Sequence, residues 1–236
     1  MLLLCFIEFS SCMFLFQLGS ILTINQTILV DLFIILPNSF LISLSKPSTF
    51  LVKQRPLYIK AKSICITIIF HGAIMLIFQI IIYGLMINQN WYHNHEYYLN
   101  LFNESKNGNR TELNKYNFKI EPIQELKIPC CDNTILFMYY YLQCIITIIM
   151  FSLDAPFKKE LSQNKYLVIY LVANVLFAIY IIFIYNTYIY GFFGLTHIEY
   201  QNFKFTIIVI AIINFFVFVY IEKKLLKYEE EKKYLY

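Results

Sequence analysis

Asp31 and Pro37 stand six residues apart in QTILVDLFIILPNSFLISL, Gln26 to Leu44, a stretch long and apolar enough to cross a bilayer. A carboxylate at bilayer depth costs roughly 2.5–3.5 kcal/mol on insertion scales, and a proline removes one backbone hydrogen bond. Broken helices that expose carbonyl oxygens beside a carboxylate are a means of holding cations inside membranes. Asp31, with Gln26 and Asn25 just before it, is therefore the leading candidate for a cation site. The competing reading has Asp31 reaching back to the membrane surface, because it lies only a turn or so into its span. Glu8, Gln17, Asn174, Asn186 and Asn214 read more simply, as polar groups that hydrogen-bond neighbouring helices.

The elements that must position Asp31 are membrane helices. The chain of 236 residues is 59% hydrophobic and only 14% charged, and its apolar residues come in blocks, which leaves almost nothing for a soluble core. The expected fold is all-α and polytopic, with six transmembrane helices: 1–22, 23–45 with Asp31, 63–87, 134–153, 167–190 and 205–221. Between and after them lie connections at 46–62, 88–133, 154–166 and 191–204 and a tail at 222–236. Met1 is followed at once by LLLCFIEFSSCMFLF, with no basic flank and no small-residue cleavage site, so a signal peptide is a poor reading. The first span reads as incomplete, and the chain as the C-terminal piece of something larger.

Lys46, Lys53, Arg55, Lys60 and Lys62 lie in one connection, Lys158, Lys159 and Lys165 at another, and five lysines in the tail. These three segments alternate correctly along six spans, so the positive-inside rule puts both termini in the cytosol. The 88–133 connection falls on the opposite side and carries the glycosylation sequons NES at Asn103 and NRT at Asn109.

Other residues are weaker candidates. Cys5, Cys12, Cys65 and Cys144 sit in apolar blocks, as small hydrophobes do, whereas Cys130 and Cys131 are adjacent, which makes a disulfide between them strained. His93, His95 and Glu96 in WYHNHEYY have no second ligand cluster at metal-site spacing, so no metal is expected, and Trp91 and Tyr92 fit an interfacial aromatic belt. In the tail, Glu229, Glu230 and Glu231 nearly cancel the lysines, as on a solvated helix end.

QTILVDLFIILPNSFLISLSKP followed by QRP resembles the sixth transmembrane helix of the P-type ATPases of the fifth class, subgroup B, the endolysosomal polyamine transporters. FQIIIYGLMINQNWY is similar to the seventh helix of that family, DNTILFMYYYLQ to the eighth, and FSLDAPFKKELSQN to the loop before the ninth. Asn133, Phe137, Gln143, Ser152, Pro156, Phe157 and Asn164 keep the family spacing without a gap. The resemblance covers nearly the whole chain and implies the membrane half of an ATP-driven polyamine or other cation transporter in an endolysosomal or other endomembrane. It implies Asp31 and Gln26 as substrate-binding residues, with Ile24 where the family usually has a further aspartate. The phosphorylated DKTGT segment and the nucleotide domain have no counterpart here, so no catalytic residue is expected in this chain, and ATP and magnesium belong to the missing parts of the pump. The expected partners are the bilayer, the cation and those missing parts, with no nucleic acid. A second reading is a non-catalytic truncated paralogue acting as a scaffold or regulator.

Overall fold

The computed structural model describes residues 2–44, 61–106, 129–152 and 164–233, and these residues form helices and short connections. The cytosolic connection expected at 46–62 and that at 154–166 fall mostly outside them, as does Asn109. In chain order the helices are α1 (Leu2–Gln17), α2 (Ile24–Val30), a π turn (Asp31–Ile35), α3 (Leu36–Ser43), α4 (Ala61–Ile87), α5 (His95–Lys106), α6 (Cys131–Ser152), α7 (Lys165–Phe183), α8 (Thr187–Phe193) and α9 (Gln201–Lys233).

Five spans are long and apolar enough to cross a membrane: the continuous run α2 to α3, then α4, α6, α7 and α9. The protein is an all-helical, multi-pass membrane protein. Six spans were expected, and α1 falls short among the described residues. Its 16 residues reach about 24 Å at 1.5 Å each, against roughly 30 Å of hydrocarbon.

Helix α6 is the central pole, with 89% of its span buried against 28–33% for the other four. It packs on α1, α4, α7 and α9. Position explains composition here: the outer helices turn Ile, Leu, Val and Phe outward, while α6 can carry Tyr and Gln because every direction offers a protein partner. Asn214 Nδ2 on α9 donates to the Tyr139 hydroxyl at 3.1 Å, and Tyr141 donates to Asn174 Oδ1 on α7, also at 3.1 Å. Gln79 Nε2 on α4 donates to Gln143 Oε1 at 2.9 Å and to Ser11 Oγ on α1 at 2.8 Å, and Gln143 Nε2 donates to the Met75 carbonyl at 3.0 Å. Close approach of α1 to α4 depends on Gly72, where an added Cβ would lie 2.8 Å from the Phe6 ring. Next to Gly72 on α4, His71 Nε2 lies 2.7 Å from Glu222 Oε2 on α9.

The span expected at 167–190 is interrupted. α7 ends at Phe183, Ile184 and Asn186 adopt extended backbone, and the Asn186 side chain accepts from the N–H groups of Tyr188 and Ile189 to start α8. Asn is among the best N-caps, so a polar residue read as interhelical glue acts locally instead. α8 closes on Gly194, whose φ of +64° suits glycine and whose missing Cβ leaves room for Thr23 Cγ2. Thr23 Oγ1 and Asn25 Nδ2 donate to the carbonyls of Phe193 and Phe192, at 2.9 and 2.6 Å, which fastens the start of α2 to the end of α8.

Candidate site at the broken helix

Pro37 has no N–H to give, and the local backbone widens to accommodate it. The N–H of Leu36 bonds the carbonyl of Asp31, five residues back, so the π turn begins on Asp31 itself. In an α-helix the Phe33 carbonyl would accept from residue 37, which is the proline. Here the Tyr170 hydroxyl on α7 donates to it at 2.6 Å. The next two carbonyls also receive side-chain donors, Ile34 from Asn38 Nδ2 at 2.7 Å and Ile35 from Ser39 Oγ at 2.6 Å. Tyr170 on α7 thus satisfies the one carbonyl that Pro37 leaves without a backbone donor, while Asn38 and Ser39 serve the next two from within their own helix.

Asp31 and Gln26, expected in one site, are not brought together. Five helical positions turn the chain about 500°, so the two side chains leave the helix some 140° apart. Gln26 points inward and is fully buried, whereas Asp31 is exposed on the outside of the described bundle. Gln26 instead caps its own helix. Its Oε1 accepts from the Thr23 N–H at 2.9 Å while Thr23 Oγ1 accepts from the Gln26 N–H, a reciprocal cap on α2. Its Nε2 is buried without a partner among the described residues and, as a donor, has nothing to offer an ammonium group. Ile24, where the resemblance leads one to look for an aspartate, is exposed.

The residue that does lie within electrostatic reach of Asp31 is Glu8 on α1, half-buried. Both carboxylates are also felt at Tyr140 on α6, whose buried hydroxyl sits beside the Cys144 thiol and has no oxygen or nitrogen partner among the described residues. Three chain segments thus lie within electrostatic range of one another: a carboxylate from the middle of α1, a carboxylate at the head of the π turn, and a phenol oxygen from the pole that meets the Cys144 thiol. Two like charges in a low-dielectric setting repel, and a cation between them relieves both. The two carboxylates give this place a negative charge that suits a cation.

At the other end of the bundle, where residues 18–23, 88–95 and 129–131 meet, the remaining candidates have structural partners. Cys130 and Cys131 are free thiols; Cys130 donates to Ser20 Oγ at 3.4 Å, and Cys131 Sγ lies 2.8 Å from the Tyr98 hydroxyl. Burial, reinforced by the Asp132 carboxylate, pushes the Cys130 thiol up to about 12. Tyr92 donates to Asp132 Oδ1 at 2.8 Å, and burial raises its phenol well above the ordinary tyrosine range. His93 stacks on Tyr97, and the His95 ring packs over Gly19. Among the described residues no three His, Cys, Asp or Glu side chains gather as a metal ion requires. Trp91 stacks on Tyr200 and meets Phe203 edge-on. Asn103 lies on α5. No protein-family model matches the chain, and no curated protein is significantly similar to it.

Proposed function

We propose that this chain is the membrane half of an ATP-driven cation transporter of the polyamine type, contributing part of the substrate path while separate domains hydrolyse ATP. The observation that carries this reading is that Asp31, at the head of the turn where the helix is broken ahead of Pro37, lies within electrostatic range of a second carboxylate, Glu8, on another helix. A polyamine carries several ammonium groups on one flexible chain, and two carboxylates from separate helices answer two of them at once. The resemblance to the fifth-class P-type ATPases supports the same substrate class. Glu8 then supplies a second negative charge in a chain where Ile24 replaces the family's usual aspartate.

Asp31 lies on an exposed face among Ile28, Leu32 and Phe33. Lipid is a poor cover for a carboxylate, so this face belongs against the remaining helices of the pump, with the cation between. The location that follows is an endomembrane, with both termini of this segment cytosolic.

The test restores the chain to a complete pump and replaces Asp31 with Asn, which keeps size and removes charge. Spermine-stimulated dephosphorylation is expected to fall clearly. Spermine dependence unchanged from the parent pump refutes the cation site.

A further inference from the structure

We infer that Tyr170 is a positioning residue for Asp31: its hydroxyl, by taking the Phe33 carbonyl that Pro37 leaves without a donor, fixes the π turn in the observed register and with it the place of the Asp31 carboxylate. This rests on the cation-site reading above.

A wide turn in a helix can sit at more than one register. Here the Leu36 N–H reaches the Asp31 carbonyl, which starts the turn at Asp31. Were the Phe33 carbonyl to seek a backbone donor instead, the nearest that a π pattern offers is the Asn38 N–H, five residues on. Taking it moves the wide turn two residues along the chain and returns Asp31 to ordinary α geometry. Each residue of helix carries about 100° of rotation, so a displaced turn re-aims the side chains on its N-terminal side. The Tyr170 hydroxyl removes the reason to slip, because at 2.6 Å it satisfies Phe33 in the observed register.

The donor comes from outside the broken helix, and its helix is held independently. α3 packs on α7, and a second bond joins them nearer the other end, from Asn164 Nδ2 to the Leu41 carbonyl at 2.8 Å. α7 is thereby a splint along the C-terminal half of the broken span. Of these two bonds from α7, the one from Tyr170 falls on the π turn. The Asn164 bond lies on α3 beyond the proline, and it supplies the control.

The experiment uses the whole chain in lipid nanodiscs with spermine as probe, measured by equilibrium dialysis. Asp31→Asn is expected to abolish binding and Tyr170→Phe to weaken it about tenfold, the scale of one lost hydrogen bond. In the Asp31→Asn background, Tyr170→Phe is expected to have no further effect. Asn164→Ala is expected to lower the thermal midpoint yet leave spermine affinity within about twofold, and Tyr170→Gln, which returns a donor, to recover part of the loss. Hydrogen exchange over residues 31–36 gives a readout free of ligand and is expected to quicken in Tyr170→Phe with exchange over 131–152 unchanged. Asp31→Asn losing binding while Tyr170→Phe binds like the parent refutes the positioning role alone. Equal weakening by Tyr170→Phe and Asn164→Ala also refutes it, since general packing then accounts for the effect. Binding by Asp31→Asn equal to the parent refutes the cation site and the positioning role together; if the parent chain by itself does not hold spermine, exchange over 31–36 decides the positioning role, and an unchanged rate in Tyr170→Phe refutes it. If Tyr170→Phe yields no folded protein, the Tyr170→Gln variant carries the comparison, and exchange over 31–36 matching the parent then supports the role while exchange above it refutes it.

Discussion

Gln79 on α4 and Gln143 on α6 share a hydrogen bond of 2.9 Å, and both side chains are almost wholly buried. Each also bonds elsewhere, Gln79 to Ser11 and Ser10 and Gln143 to the Met75 carbonyl, so one amide pair links three helices. Removing one member orphans the other. We expect Gln79→Leu and Gln143→Leu each to destabilise the protein by about 1 kcal/mol in detergent unfolding, the upper part of the range for interhelical hydrogen bonds in membranes. The double variant is expected to lose less than the two singles combined, and strict additivity would show that the pair is not coupled.

Lys204 gives the opposite expectation. Its side chain is fully buried at the start of α9, and its Nζ has no partner among the described residues. A buried ammonium without an acceptor costs more than a shape-matched apolar chain. Lys204→Met is expected to raise stability by about 1–3 kcal/mol, seen as a higher thermal midpoint. A lower midpoint would mean that the ammonium finds a counter-charge in the membrane.

Cys130 carries a pH expectation. With its thiol near 12 in the folded protein and an ordinary value of about 8.5 in the unfolded chain, the folded state keeps a proton that the unfolded state gives up. Its stabilising share is therefore complete below about pH 8.5 and is lost as pH rises toward 12. Cys130→Ser is expected to flatten the loss of stability between pH 8.5 and 10.5. Alkylation at Cys130 by iodoacetamide at pH 8 is expected to be slow in the folded protein and rapid after unfolding, as mass spectrometry of the peptide will show.

Orientation is testable without a functional assay. Basic residues flank one side of the spans, so Asn103 and Asn109 are expected to receive glycans in a microsomal translation system while a sequon appended after Tyr236 does not. Modification of the appended sequon would invert the topology.

Much of the architecture was legible because hydropathy is a block property: α4, α6 and α9 match their apolar runs within a few residues at most of their ends. Pro37 announced the break, and residue chemistry announced Asp31. The partners of Asp31 were not legible. Glu8 reaches it from another helix, and Tyr170 supplies a donor from 133 positions beyond Pro37, contacts that no local pattern encodes. Gln26 misled for a related reason. A threonine three residues before a glutamine is a helix-start signature, and at Thr23 that local rule overrides a role read from nearness to Asp31. The end of α7 was missed similarly, since Asn186 caps α8 within an apolar run that hydropathy treats as continuous.

The central place of α6 also sets a timetable for biosynthesis. Its residues follow those of α1 and α4 in the chain, and Gln143 lies 64 residues after Gln79. At roughly 5–20 residues per second, about 3–13 s pass between their syntheses. During that interval Gln79 has Ser10 and Ser11 as partners but not Gln143, so the earlier helices wait in the membrane with one bond of this network still unmade. Slowing elongation between residues 88 and 130 lengthens that wait, and it is there that the nascent protein is most exposed to quality control.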